Sequence, residues 1–267
     1  MPLHYGAAHP LADQIETHLF VICPNNSGST FLKKALATSR HTWNLMREGQ
    51  HTFGYAGPSS IDRGLHRHWA CDDHSISVFR DPQAYDWDRT RRAWYFQAYS
   101  SDPNATVFVE KSPPFVLIVD ELARHFRDPR FLFMVRDPYA MVEGLLRKGN
   151  RRLPAGPRFR IAAHHAINCL RSQQQNIETQ GARGAFFSYE TMCDAPAEAE
   201  REIRRLVPAL ADVTLRQRIE VWEYNEELRN MNEQQIARLT SDDRTQINAV
   251  FAQHQDVLDY FHYSLRS

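Results

Sequence analysis

An apolar run, His18–Cys23, stops abruptly at Pro24-Asn25-Asn26-Ser27-Gly28-Ser29-Thr30, and a helical pattern takes over through Thr38. A buried strand, a polar turn containing glycine and then a helix make the opening unit of an α/β fold. The alternation continues along the chain. Further strands are expected at Ser75–Phe79, Thr106–Val109, Arg130–Val135 and Ala185–Phe187. Helices are expected near Arg89–Tyr99, Phe115–His125, Pro138–Lys148, Phe159–Gln180, Ala197–Val207, Leu215–Glu227 and Asp242–Leu258. Short apolar strands separated by helices predict a central parallel sheet flanked by helices. Asn44–Asp73, rich in Gly, His and polar residues, reads as a loop or lid. No repeat, low-complexity tract or clean boundary divides the chain. The expectation is therefore one domain over 1–267, with 214–267 as its C-terminal helical part.

Composition narrows the function classes. The 32 basic residues balance 32 acidic ones, which gives no support to non-specific nucleic-acid binding. Four scattered cysteines (Cys23, Cys71, Cys169 and Cys193) form no CxxC pair and fit neither a zinc site nor a disulfide framework. The adjacent His164 and His165 would point to different helix faces, so no metal is expected. The first twenty residues lack a basic start followed by an apolar core, and the apolar runs are too short to span a bilayer. A cytoplasmic location without a membrane span is expected.

The turn after the first strand suits an anion. Successive backbone N–H groups form a nest, the helix N-terminus adds its positive dipole end, and Gly28 permits close approach. The hydroxyls of Ser27, Ser29 and Thr30 supply further donors. The same residue types also cap helices that bind nothing. The turn lacks GxxxxGK[ST], so it is not the usual nucleoside-triphosphate loop.

PNNSGSTFLKKAL resembles the 5′-phosphosulfate loop of the sulfotransferases that use 3′-phosphoadenosine 5′-phosphosulfate (PAPS), commonly P-[KR]-S-G-[ST]-T before a helix. The later stretch FVEKSPPFVLIVDELARHFRDPRFLFMVRDPYAMVEGLL resembles that family's EKSP element and its 3′-phosphate motif, a strand ending in VRDP. The resemblance runs from about His18 to Tyr263 and favours the branch with a carboxylate base. It implies a P-loop-like sulfotransferase fold, PAPS as donor and no metal. The nucleotide-binding set it implies is Asn26, Ser27, Gly28, Ser29, Thr30, Arg136, Gly144, Lys148 and Tyr189. Arg136 falls where the family's 3′-phosphate arginine stands, and a planar, always-charged fork suits phosphate oxygens. Tyr189, in FFSYETM, falls where the family packs a tyrosine on or near the adenine; a core or edge tyrosine is the alternative. Arg229, Asn230 and Asn232 lie where relatives close a loop over the nucleotide. Two positions depart from the pattern. Asn26 stands where the family has Lys or Arg, and Gly144 where it has a serine that binds the 3′-phosphate. Arg147 and Lys148, one turn beyond Gly144, are candidates to compensate, although such a charge run is also an ordinary solvated surface.

Sulfuryl transfer needs a base near the acceptor, an in-line approach and positive charge where the leaving phosphate develops its own. The base candidates are Glu48, by its position past the first helix, and His51, since imidazole is in general an effective base near neutral pH. Lys111 in the EKSP element is the candidate cation for the sulfuryl or bridging oxygen, with pairing to Glu110 as the alternative. Lys33 and Lys34 are expected to point away from the site. Tyr85, Trp87, Trp94 and Tyr95 are acceptor-pocket candidates that also fit one core-facing helix stripe. The acceptor, a small molecule or a saccharide with a hydroxyl or amine, is not identified, nor is the oligomeric state. A non-catalytic nucleotide-binding relative and an ATP-dependent kinase are the rival readings; the missing loop lysine counts against the kinase.

Overall fold

The computed structural model describes residues 12–61, 68–149, 157–221 and 224–267. Its strands are β1 (Thr17–Ile22), β2 (Thr42–Asn44), β3 (Val107–Glu110), β4 (Pro129–Val135) and β5 (Gly184–Ser188). They form one parallel sheet in the order β2-β3-β1-β4-β5. Strand β1 therefore lies between β3 and β4, and the chain reverses its direction of travel across the sheet beside it. Ligands in open α/β sheets bind at the carboxyl ends of strands at such a switch point.

Side-chain alternation assigns the two faces. Phe20, Ile22, Phe108, Phe131, Phe133 and Val135 share one core cluster. Helices α3 (Trp87–Ala98), α4 (Val119–His125), α5 (Pro138–Gly149) and α6 (Arg158–Gln180) cover that face with residues such as Trp94, Leu122, Tyr139 and Leu170. Leu19, Val21, Cys23, Val107, Val109, Leu132 and Met134 face the other way. There α1 (Ser29–Leu36) and α8 (Pro196–Leu206) contribute Phe31, Leu32, Ala199 and Ile203. Burial on both faces is why the strands read as continuous apolar runs.

Two expected elements are corrected. Ser75–Phe79 is helix, not strand: it lies in α2 (Asp73–Arg80), whose N-cap Asp72 accepts from Ser75 N at 2.7 Å. The cap satisfies an otherwise orphaned N–H, and this local bond outweighs the β propensity of Ile76 and Val78. Leu215–Glu227 is not a helix but carries an antiparallel pair, β6 (Ile219–Val221) and β7 (Tyr224–Glu226), the positions 222–223 lying outside the described residues. The pair is laid on α1, where Lys34 Nζ donates to the Glu220 carbonyl and Ile219 joins the apolar cluster.

Two other expected helices are interrupted. In 115–125 a 3-10 turn, Pro113–Leu117, precedes α4. In 242–258 a 3-10 turn, Ala252–His254, separates α10 (Ser241–Phe251) from α11 (Gln255–Tyr260). Short helices α7 (Tyr189–Asp194) and α9 (Asn232–Ile236) complete the set. Between β2 and α2 the described residues hold one 3-10 turn, Gly49–His51, and residues 62–67 of that segment lie outside them.

The switch point is held from below by one side chain. Gln173, fully buried on α6, donates from Nε2 to the carbonyls of Ile22 (2.7 Å) and Met134 (3.0 Å), at the ends of β1 and β4. Gln173→Leu keeps the volume but strands both carbonyls. It should cost about 2–4 kcal/mol, read as a lower urea midpoint with an unchanged slope.

Candidate active site

Three strand ends deliver polar residues to one edge. After β1, Ser27 Oγ donates to the Pro24 carbonyl at 2.6 Å, and the chain passes through positive φ at Asn26 (64°) and Gly28 (80°) before α1. Both residue types tolerate that conformation. Asn25 is pinned separately, its Oδ1 accepting from Trp69 Nε1 at 2.6 Å. The side of Gly28 is closed by Tyr189: a Cβ there would meet the ring at 2.6 Å. Ser27 and Ser29 are buried and Thr30 is half-buried.

The end of β3 builds the first centre. Lys111, 4% exposed, places Nζ 2.5 Å from Glu48 Oε1. Gln50 Nε2 donates to Glu48 Oε2 at 3.0 Å, and His51 Nε2 lies 3.6 Å from the same oxygen. Burial pushes the Glu48 carboxyl up, but Lys111 and the Lys111 and Gln50 hydrogen bonds outweigh it and hold it below the ordinary value. Burial also disfavours the Lys111 ammonium, and Glu48 reverses that, leaving its pKa raised.

Glu48 is bracketed on both sides. Lys33 Nζ donates to the Arg47 carbonyl at 2.6 Å. Glu110 Oε1 accepts from Gly49 N (2.7 Å) and Ser112 Oγ (2.6 Å), and Ser112 Oγ in turn accepts from Gln50 N (3.1 Å). Glu110 is thus a positioning carboxylate, and Lys111 pairs with Glu48 rather than with it. Burial pushes the Glu110 carboxyl up and the Lys33 ammonium down, and each charge partly offsets the shift of the other.

The end of β4 builds the second centre. Arg136, also 4% exposed, donates from Nη1 to the Asn26 carbonyl (2.7 Å) and from Nε to Asn232 Oδ1 (2.7 Å), and it stacks on Tyr189 at 4.1 Å. The neighbouring Asp137 pairs instead with Arg266 at 2.7 Å. Glu190 Oε1 accepts from Asp137 N and Asn232 Nδ2, while its Oε2 accepts from Tyr263 OH. Tyr189 OH donates to the Arg229 carbonyl and accepts from Met231 N. The C-terminal segment is thereby laced to the ends of β4 and β5. The two centres meet under the loop. Cys23, its thiol pushed up by burial and hydrogen-bonded to Ser29 and Ser27, feels the Lys111 charge.

A model of the sulfotransferase family matches residues 18–210, well over half of the chain. The chain belongs to the sulfotransferase family. Among solved structures, the sulfotransferase domain of the curacin biosynthetic pathway is 14% identical, with TM-score 0.55, covering 93% of this chain and 98% of its own. A sulfotransferase from Mycobacterium avium is 15% identical at TM-score 0.56, covering 96% and 80%. Another from Alicyclobacillus acidocaldarius is 13% identical at TM-score 0.53, covering 92% and 96%. At such identity the likeness speaks for the sulfotransferase fold alone. No curated protein sequence matches the chain.

The sulfotransferase fold gathers Asn26, Ser27, Gly28, Ser29, Thr30, Arg136 and Tyr189 around one loop, and Glu48, His51 and Lys111 beside it. It corrects the expectation that Lys33 points away. One turn into α1, its side chain is 7% exposed and runs back under the site to Arg47. Arg147 is bonded to Glu143, and Lys148 is exposed towards the end of α5. Arg151 and Arg152 lie outside the described residues. Asn230 is turned to Asp194, whereas Asn232 reaches Arg136 directly. Trp87, Trp94 and Tyr95 are core, and Tyr85 is stacked on Trp87. Glu190 went unnoticed in the sequence; its place after Tyr189, at a strand end, was the available signal. Among the described residues no three His, Cys, Asp or Glu side chains converge as a metal site, and no helix is long and apolar enough to cross a membrane.

Gly28→Ala adds a Cβ at positive φ and drives it into Tyr189. It should cost about 1–3 kcal/mol and loosen the ring over Arg136. Thermal unfolding together with Tyr189 fluorescence or NMR line width checks both effects.

Proposed function

We propose that this chain transfers a sulfuryl group from PAPS to a hydroxyl or amine, with Glu48 as the base and Lys111 as the cation at the reacting centre. The single observation that carries this reading is the pair of buried Lys111 with half-buried Glu48, 2.5 Å apart and adjoining the loop after β1. In the proposed step the acceptor's lone pair attacks sulfur and the bond from sulfur to the bridging oxygen breaks. The bonding electrons pass to the 5′-phosphate, and the acceptor's proton passes to Glu48. The loop N–H groups and the hydroxyls of Ser27, Ser29 and Thr30 hold the 5′ end, and Arg136 holds the 3′-phosphate.

The pairing supplies a reason for timing. While Lys111 sits on Glu48 the carboxyl is held low, so it is ionised at neutral pH yet a weak base. As negative charge builds on the leaving oxygen, the ammonium is drawn to it, and burial then raises the Glu48 affinity for a proton when that proton is released. His51, 3.6 Å from Glu48, is placed to share it. Met46 and Phe53, each 91% exposed, flank this segment and support an acceptor with an apolar body.

The donor is testable without the acceptor. 3′,5′-Adenosine bisphosphate, the product of the donor, should stabilise the fold in the absence of metal, by about 2.7 kcal/mol at one hundred times its Kd. A thermal-shift panel that shows no effect with the bisphosphate but a clear one with magnesium-ATP would reject PAPS.

Glu48→Gln keeps the shape of the side chain but cannot take a proton. Turnover should fall about 10²–10⁴-fold, with bisphosphate affinity changed by no more than about threefold. An active Glu48→Gln beside a dead His51→Ala would move the base to His51.

A further inference from the structure

The second centre contains charge and hydrogen-bonding capacity that the protein itself does not use. Arg136 Nη2 and Asn26 Nδ2 are both buried, and neither has a hydrogen-bond partner among the described residues. Arg136 Nη1 donates to the backbone carbonyl of Asn26, so the guanidinium lies against the residue that carries this amide. Arg136 makes no salt bridge among the described residues; its bonded partners are two neutral oxygens, of Asn26 and Asn232. The nearby acids are bonded elsewhere: Asp137 to Arg266, Glu190 to Asn232 and Tyr263. A buried guanidinium N–H and a buried amide donor that lack acceptors each bear the desolvation cost of a hydrogen bond left unmade. A single anion with several acceptor oxygens would satisfy both.

Gly144 explains how the amide comes to be there. A Cβ placed on Gly144 would meet Asn26 Cγ at 2.9 Å and Asn26 Cβ at 3.0 Å. The carboxamide occupies the space that any side chain at 144 would enter, so a hydroxyl at 144 and this conformation of Asn26 exclude each other. Positive φ at Asn26 turns its side chain that way, and Asn is among the few residues that accept such a backbone.

We propose that the Asn26 carboxamide is a specificity-determining ligand of the 3′-phosphate, donating from Nδ2 beside Arg136 Nη2 in the place left open by Gly144. The inference rests on the PAPS reading above. It gives Asn26 a role at the opposite end of the nucleotide from the leaving group, and it leaves the leaving-group charge to Lys111.

The experiment is calorimetric titration of 3′,5′-adenosine bisphosphate and of adenosine 5′-monophosphate into the wild-type chain, Asn26→Asp, Asn26→Gly and Asn26→Gly/Gly144→Ser. Asn26→Asp preserves shape and tolerance of positive φ but replaces the donor with an anion. Bisphosphate affinity should fall about 100-fold, with the monophosphate within about threefold. Asn26→Gly should lose about tenfold for the bisphosphate alone. Glycine also clears the space beside 144, so the added serine should recover most of that loss. If the wild-type chain binds both nucleotides equally, the donor reading falls and the inference with it. If the wild type prefers the bisphosphate and Asn26→Asp keeps that preference, the inference alone is overturned. Equal losses for both nucleotides in Asn26→Asp also overturn it, because Asn26 then shapes the loop rather than contacting that phosphate.

Discussion

Charge buried at the carboxyl edge of the parallel sheet is the constraint on which the rest of this structure depends. Glu110, Lys111, Arg136 and Lys33 are each no more than 7% exposed, and each would cost several kcal/mol if left uncompensated. The first centre meets that cost internally. Lys111 has Glu48, Lys33 has the Arg47 carbonyl, and Glu110 has the Gly49 N–H and the Ser112 hydroxyl. These bonds also fix residues 47–50, a stretch with only one 3-10 turn of its own. The irregular segment after β2 is therefore ordered by the ions it covers. The second centre is compensated only in part: Arg136 Nη2 and Asn26 Nδ2 have no hydrogen-bond partner among the described residues.

The two centres are joined through one continuous stretch of chain. From Asn26 to Lys33 the backbone leaves β1, turns through two positive φ values and completes one turn of α1. Asn26 at its start touches Arg136, and Lys33 at its end reaches the segment that carries Glu48. A shift of this stretch on binding an anion would move both contacts together.

Legibility followed the range of the forces involved. The strand ends were readable because burial on both faces writes continuous apolar runs, and the polar residues after them mark the edge where ligands bind. PNNSGST, EKSP and VRDP were readable through their resemblance to the family's motifs. The fate of Ser75–Phe79 turned on one N-cap bond from Asp72, weaker as a sequence signal than the alternating Ile76 and Val78. For Leu215–Glu227, charged residues at helical spacing masked the short strand β6, which packs on α1. Lys33 was misjudged because spacing along a helix gives a direction only relative to neighbouring helix residues. Its destination, the Arg47 carbonyl, belongs to another element. Glu110 could be read as structural, but not that its partners would be Gly49 and Ser112 rather than Lys111.

Asn26 and Gly144 show the limit most clearly. In the sequence they are two separate departures, one missing cation and one missing hydroxyl, 118 positions apart, and each counts against a working nucleotide site. In the fold they are one contact, with the Asn26 side chain lying 2.9–3.0 Å from where a Cβ at 144 would be. Two losses that share a contact are not independent evidence against function, because each change removes the steric objection to the other. The loop also carries one residue more between Pro24 and Ser27 than the family pattern. That residue, Asn25, is tied to the buried indole of Trp69, whereas the Asn26 side chain lies against α5 at Gly144. The two departures thus meet in a single contact between the loop and α5, beside Arg136.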